Sequence, residues 1–126
     1  MAFGVRERIK ETDSPKPTRY FSNRQEKQVA KDLGGRCTSN SGATDFGGKG
    51  DVLLDKVLVE CKTKTAHTSS ISIKKEWFEK NTQEKVFMGK PYSVVAFNFG
   101  PDEENYYIID EKLFIDFIEY LKNKEK

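Results

Sequence analysis

The apolar positions of the chain follow helical spacing in three separate stretches. The first stretch predicts a helix with Ser22 as its N-cap, which ends at Gly34-Gly35. A second helix is predicted over 74–88, where the apolar stripe is irregular. A third begins at about Glu111 and has the clearest amphipathic pattern in the chain, so its stripe is expected to lie in the core.

Strand patterns lie between these helices. Val94, Val95 and Ala96 in series predict a strand that is covered on both faces. The pattern therefore predicts an α/β fold, a single domain with a central mixed β-sheet flanked by helices. The polar residues 1–17 are predicted to form a flexible tail, and 18–126 the folded domain. The predicted extended segments are 36–38, 51–54, 57–64, 93–99 and 106–110.

Composition limits the classes to which the protein can belong. A chain of 126 residues without an internal repeat is expected to form one core. It has no apolar run of about 18 residues and no apolar segment near Met1, so we expect a cytoplasmic protein without a membrane span. Cys37 and Cys61 are too few for a disulfide framework and are expected to be buried thiols.

The net charge of +2 conceals an uneven distribution. Residues 18–64 carry nine Lys and Arg against six Asp and Glu, whereas 65–126 carry nine against eleven. Half of the acids in the first part belong to the candidate metal site described next, so cation binding would make that part distinctly positive. A positive face suits a phosphate backbone, although solvated charges without a partner would give the same count.

The candidate chemistry lies in the segment 50–64. In a strand, Glu60 and Lys62 emerge on one side while Val59 and Cys61 point to the other. A hairpin through Asp55-Lys56 would bring Asp51 close to Glu60. Two carboxylates that close repel each other and favour a hard divalent cation such as Mg²⁺, with Mn²⁺ as the alternative. This constellation is what metal-assisted phosphodiester hydrolysis requires.

The wider pattern resembles a known family. Glu26, Ser39-Asn40-Ser41-Gly42, Gly50-Asp51-Val52 and Glu60-Cys61-Lys62 together are similar to the motifs of the PD-(D/E)xK nuclease superfamily. Within it the chain most resembles the Holliday junction resolvases of archaea and their phage-encoded relatives. The resemblance is specific from about residue 19 to 64 and looser afterwards, and no proline precedes Asp51. It implies a restriction-endonuclease-like fold and a Mg²⁺-dependent endonuclease that acts on branched DNA, the four-way junction.

The resemblance also implies roles for individual residues. Asp51 and Glu60 would ligate the metal together with the backbone carbonyl of Cys61, and Glu26 would complete the site directly or through water. Lys62 would orient or deprotonate the attacking water, or balance charge that develops on the phosphate. A metal-bound water loses its proton far more readily than bulk water, which agrees with these roles.

Contacts to DNA are expected from a further set of residues. Hydroxyls and glycine amides of the 39–50 loop can donate to phosphate oxygens, although they are equally typical of turns. The basic residues can contact phosphates or stay solvated. The candidates are Arg19, Arg24, Arg36, Ser39, Ser41 and Lys49.

Two further alternatives stay open. Symmetric cuts in two strands require a homodimer, for which Trp77 and Phe78 are candidate interface or core residues. The rival function is a non-catalytic DNA-binding module in which Asp51, Glu60 and Lys62 form a structural ion-pair cluster. A nuclease of the same fold that acts on other DNA structures is the third possibility.

Overall fold

Helices and strands occur in the order that the pattern predicts. A computed structural model of the protein describes residues 16–38 and 51–124. The elements in these ranges are α1 Thr18–Leu33, β1 Arg36–Cys37, β2 Asp51–Leu53, β3 Val57–Lys62, α2 Lys75–Met88, β4 Tyr92–Phe97, β5 Tyr106–Ile108 and α3 Glu111–Lys124.

The strands form one mixed sheet. Within the described ranges it has five strands in the order β1-β2-β3-β4-β5. All neighbours are antiparallel except β3 and β4, which run parallel because α2 carries the chain back between them. The predicted hairpin between β2 and β3 is present, and the amide of Leu54 donates to the carbonyl of Val57 at 2.9 Å. The predicted single α/β domain with a mixed sheet is confirmed.

The main core lies between α1 and one face of the sheet. Val29 of α1 packs with a group of fully or nearly buried strand residues: Val52, Val59, Val94 and Ala96. Burying each of the valine side chains stabilises the fold by roughly 1.5–3 kcal/mol. The predicted double-sided burial of 94–96 is confirmed, since Val95 on the other face is also fully buried.

The opposite face of the sheet carries the polar residues. Because side chains alternate along a strand, Glu60 and Lys62 point away from Val59 and from α1. Helix α2 covers this second face, where its Trp77 lies over the Lys62 ammonium. The candidate chemistry is therefore held between the sheet and α2.

Helix α1 begins earlier than predicted. Its first residue is Thr18, and Ser22 lies inside the helix and caps nothing. Pro17 precedes it with φ −69° and lacks an amide hydrogen, which suits the start of a helix without a side-chain cap. The predicted end is confirmed: Gly34 adopts a left-handed conformation with φ 76°, and its amide donates to the carbonyl of Ala30.

Helix α3 corrects a second expectation. Leu113 packs against the core and Asp116 accepts a hydrogen bond from the Tyr92 hydroxyl at 2.7 Å, but no residue of α3 is buried. The apolar stripe predicted to be core is mostly exposed. None of the helices in 16–38 and 51–124 has both the length and the apolar character needed to cross a bilayer.

Candidate metal centre

The hairpin places two carboxylates side by side. Asp51 on β2 is directly opposite Glu60 on β3 in the antiparallel register. Directly opposed residues have Cβ atoms about 4.5–5.5 Å apart, so two acids there interact strongly. Asp51 is only 1% exposed, which removes the solvent that would normally separate such charges.

A third carboxylate joins them from helix α2. Asp51, Glu60 and Glu84 each offer an oxygen that lies within 4.8 Å of the other two. Sequence reasoning missed Glu84, because the irregular apolar stripe of α2 gave no inward face. A signal did exist: Trp77, Asn81 and Glu84 occur at i, i+4 and i+7, so the inward face of this helix is an aromatic and polar stripe.

These acids have unsatisfied oxygens. One oxygen of each carboxylate is buried and lacks a hydrogen-bond partner within the described chain, as does Oδ1 of Asn81. The carboxylate atoms are Asp51 Oδ2, Glu60 Oε1 and Glu84 Oε2. A buried acceptor without a partner costs about 1–3 kcal/mol, and more when it is charged. Such a group of oxygens fits a hard divalent cation, which would satisfy all three at once.

The raised pKa values of the carboxyl groups also favour a cation site. Burial, followed by the negative charges of Glu60 and Glu84, raises the pKa of Asp51 to about 9. Burial and the Glu60 charge also raise the pKa of Glu84 above its ordinary value. Without a cation the cluster therefore holds a proton at neutral pH, because adjacent buried carboxylates do not all ionise. A divalent cation would displace that proton.

Lys62 is fixed beside the cluster. Its Nζ lies 3.0 Å from Oε2 of Glu60 and 5.0 Å from the ring centroid of Trp77. The Lys62 side chain is 33% exposed while that of Glu60 is 13% exposed. The Lys62 ammonium thus lies nearer to solvent than the Glu60 carboxylate.

Glu26 is not part of this group of three. It lies on α1, which covers the opposite face of the sheet, and burial raises its pKa to about 7 against the opposing charge of Arg19. Its charge also raises the pKa of Asp51, by less than burial and the charges of Glu60 and Glu84 do. Glu26 is therefore buried within electrostatic reach of the site, and its ligation through water stays a prediction. Glu84, for which the resemblance implied no role, is the third carboxylate of the cluster.

The remaining predicted residues are placed as follows. The side chain of Cys61 packs at the edge of the core on the α1 side, and the role of its backbone carbonyl stays a prediction. Arg24 forms an exposed ion pair with Asp102 at 2.6 Å. Arg19 is in the first turns of α1, and Arg36 is exposed on the edge strand β1. Ser39, Ser41 and Lys49 lie outside the described residues.

Comparison of the chain with family models, with curated proteins and with solved structures finds no match. The resemblance to the nuclease superfamily therefore depends on the motifs themselves. The structure adds Glu84, which is not among the motif residues, to Asp51, Glu60 and Lys62, which are.

Proposed function

We propose that the protein is a divalent-metal-dependent endonuclease that hydrolyses phosphodiester bonds in branched DNA. The observation that carries the proposal is the group of three buried carboxylates with unpartnered oxygens, next to a lysine that is partly open to solvent. Mg²⁺ is the proposed ion, because all the donors are oxygens.

Each residue has a role in this proposal. Asp51, Glu60 and Glu84 hold the ion. A bound Mg²⁺ supplies a water of lowered pKa and neutralises negative charge that develops on the phosphate. The Lys62 ammonium, kept in place by Glu60 and Trp77, contacts the phosphate and stabilises the added negative charge in the transition state. Whether Lys62 also accepts the proton of the water is a separate question that a pH profile answers.

The charge balance favours this proposal over a structural ion-pair cluster. Three carboxylates face one lysine, and the lysine contacts only Glu60 among them at salt-bridge distance. A cluster that served stability alone would satisfy its buried oxygens, because each unsatisfied one is costly. Branched DNA as the substrate is supported by the resemblance to the resolvases, and the excess of basic residues in 18–64 suits the phosphate backbone of any DNA.

The test is cleavage of a synthetic four-way junction with Mg²⁺, beside a linear duplex of the same sequence and a reaction with EDTA. We expect the junction to be cut only with Mg²⁺, and Asp51→Asn or Lys62→Ala to lose cleavage. Asp55→Asn and Lys56→Ala are matched controls, because these residues are exposed in the turn of the same hairpin. No cleavage by the parent protein, or full cleavage by both site variants, contradicts the proposal. Equal cutting of both DNAs removes only the branched substrate.

A further inference from the structure

A buried glutamine of helix α1 holds the end of strand β3. Gln25 is 5% exposed, and its Nε2 donates to the backbone carbonyl of Lys62 at 2.9 Å and to Oδ1 of Asn105 at 3.0 Å. A longer contact of 3.4 Å joins the same nitrogen to the carbonyl of Ala96 on β4. The Oε1 of Gln25 is buried without a partner in the described chain, so Gln25 acts here through its nitrogen.

A second buried amide fixes the next residue along the chain. Asn98 is 3% exposed, and its Oδ1 accepts a hydrogen bond from the hydroxyl of Thr63 at 2.7 Å. Its Nδ2 donates at 3.4 Å to Oδ1 of Asn105, the oxygen that also accepts from Gln25. The three carboxamides thus form one network at the point where β3 ends and the irregular connection 63–74 begins. Inside a protein such hydrogen bonds are stronger than in water and restrict the backbone that they join.

The end of β3 has little other support. Lys62 is the last residue of the strand, and chain ends of this kind open locally most easily. Within the described residues Lys62 pairs with β4 alone, because β2 begins opposite Glu60. The hydrogen bond from Gln25 therefore fixes a backbone position that the sheet holds on one side only.

We propose that Gln25 is a positioning residue for Lys62 and acts on it from the opposite side of the sheet. The Lys62 side chain extends toward α2, where its Nζ lies 3.0 Å from Oε2 of Glu60 and 5.0 Å from the ring centroid of Trp77. A lysine has a flexible four-carbon stem, so the place of its ammonium depends on where the backbone starts that stem. The use of this ammonium in phosphate chemistry rests on the function proposed above, whereas the positioning itself does not.

The first test follows the Lys62 side chain by NMR in the full chain, without metal or DNA. The Trp77 ring shifts the resonances of the Lys62 Cε methylene, which are identified by their loss in Lys62→Met. Gln25→Met keeps the side-chain length and removes the donor, so it should move these resonances toward those of a solvated lysine. Gln28→Met is the matched control and should leave them in place, because Gln28 is exposed on the same helix and donates to Asp32.

Two more variants separate position from stability. Asn105→Ala removes an acceptor from both Gln25 and Asn98 but leaves the contact from Gln25 to Lys62. It should lower the midpoint of urea unfolding without moving the Lys62 resonances. Gln25→Asn, whose amide is one carbon too short for the Lys62 carbonyl, should repeat the shift of Gln25→Met. Unmoved resonances in the Gln25 variants, an equal shift in Asn105→Ala, or failure of both Gln25 variants to fold overturns the inference.

A double-mutant cycle extends the test to cleavage of the four-way junction. At saturating Mg²⁺ the single-turnover rate of Gln25→Met should be about tenfold below that of the parent, because a small displacement of a group near the reacting phosphate is costly. In the Lys62→Met background the same substitution should change the rate by less than about twofold, since no ammonium is left to displace. Equal losses in both backgrounds overturn the inference. A parent without cleavage removes the proposed nuclease, and the NMR test then decides the positioning role by itself.

Discussion

Replacing Asp51 by asparagine should remove a pH dependence of stability that the metal-free protein owes to its carboxylate cluster. The folded-state pKa of Asp51 is about 9, whereas an unfolded aspartate titrates near about 3.9. Between these values the folded protein holds a proton that the unfolded chain releases. In EDTA the free energy of unfolding should therefore fall as pH rises, and the fall should end above about pH 9.

The magnitude follows from one proton. Each proton held only by the folded state changes the free energy of unfolding by about 1.4 kcal/mol per pH unit. Glu26 adds a similar slope only below its folded-state pKa of about 7. The interval from about pH 7 to about pH 8 therefore isolates the cluster, and the parent protein should lose about 1 kcal/mol more across it than Asp51→Asn does.

The assay is urea unfolding followed by circular dichroism at both pH values in EDTA, with Asp55→Asn as the matched control because its carboxylate is exposed. The asparagine variant should be the more stable protein at the higher pH, because its unfolded chain gains no stability from ionisation of a carboxyl at this position. Adding Mg²⁺ should reverse the order: the parent gains about 2.7 kcal/mol at one hundred times its dissociation constant, and the variant gains little. Equal pH slopes for the parent and Asp51→Asn would refute the reasoning.

Three other predictions test separate parts of the structure. Glu84→Gln should weaken Mg²⁺ binding on the order of tenfold or more, measured by the fluorescence of the sole tryptophan, Trp77; unchanged affinity would remove Glu84 from the site. Lys62→Met should lower the cleavage rate by roughly 10²–10⁴-fold while Mg²⁺ still stabilises the protein; loss of metal binding would instead make Lys62 a structural partner of Glu60. Gly35→Ala should destabilise the fold by roughly 1–3 kcal/mol in urea unfolding, because a Cβ there would lie 2.7 Å from the carbonyl oxygen of Leu53; an unchanged midpoint would contradict this packing.

Local patterns were sufficient to predict the hairpin and the placement of its charged residues. Strand alternation fixes that Glu60 and Lys62 share a face, and a short turn at Asp55-Lys56 brings Asp51 into register with Glu60. The shared face and the hairpin register both depend only on residues that are close in sequence, so both can be predicted from the sequence alone. The burial of 94–96 is also predictable from local sequence, because a strand with consecutive apolar residues has an apolar side chain on each face and is stable only when both faces are covered.

Which helix contributes to the carboxylate cluster depends on tertiary packing, which the pattern of apolar positions does not show. Glu84 reaches the cluster only because the crossover from β3 to β4 lays α2 across that face of the sheet. Its inward stripe is polar, so a search for apolar periodicity passes over it. Glu26 shows the same dependence on packing: its helix lies against the other face of the sheet, so Glu26 is outside the group of three carboxylates and its ligation through water stays a prediction.

The start of α1 and the exposure of the apolar stripe of α3 could also not be predicted from local sequence patterns. Ser22 has a good capping sequence, yet α1 starts more than one turn earlier with Pro17 as its N-cap residue, because proline has no amide hydrogen to leave unpaired at a helix start. The stripe of α3 has the strongest helical periodicity, and periodicity does not show whether an apolar face is buried in the domain or left exposed on its surface.

Diffraction from crystals grown with Mn²⁺, collected for anomalous scattering, tests the central claim most directly. The account predicts an anomalous peak within coordination distance of Asp51 Oδ2, Glu60 Oε1 and Glu84 Oε2, the three oxygens that lack partners. A saturating concentration of Mn²⁺ that leaves these oxygens without an ion would contradict it.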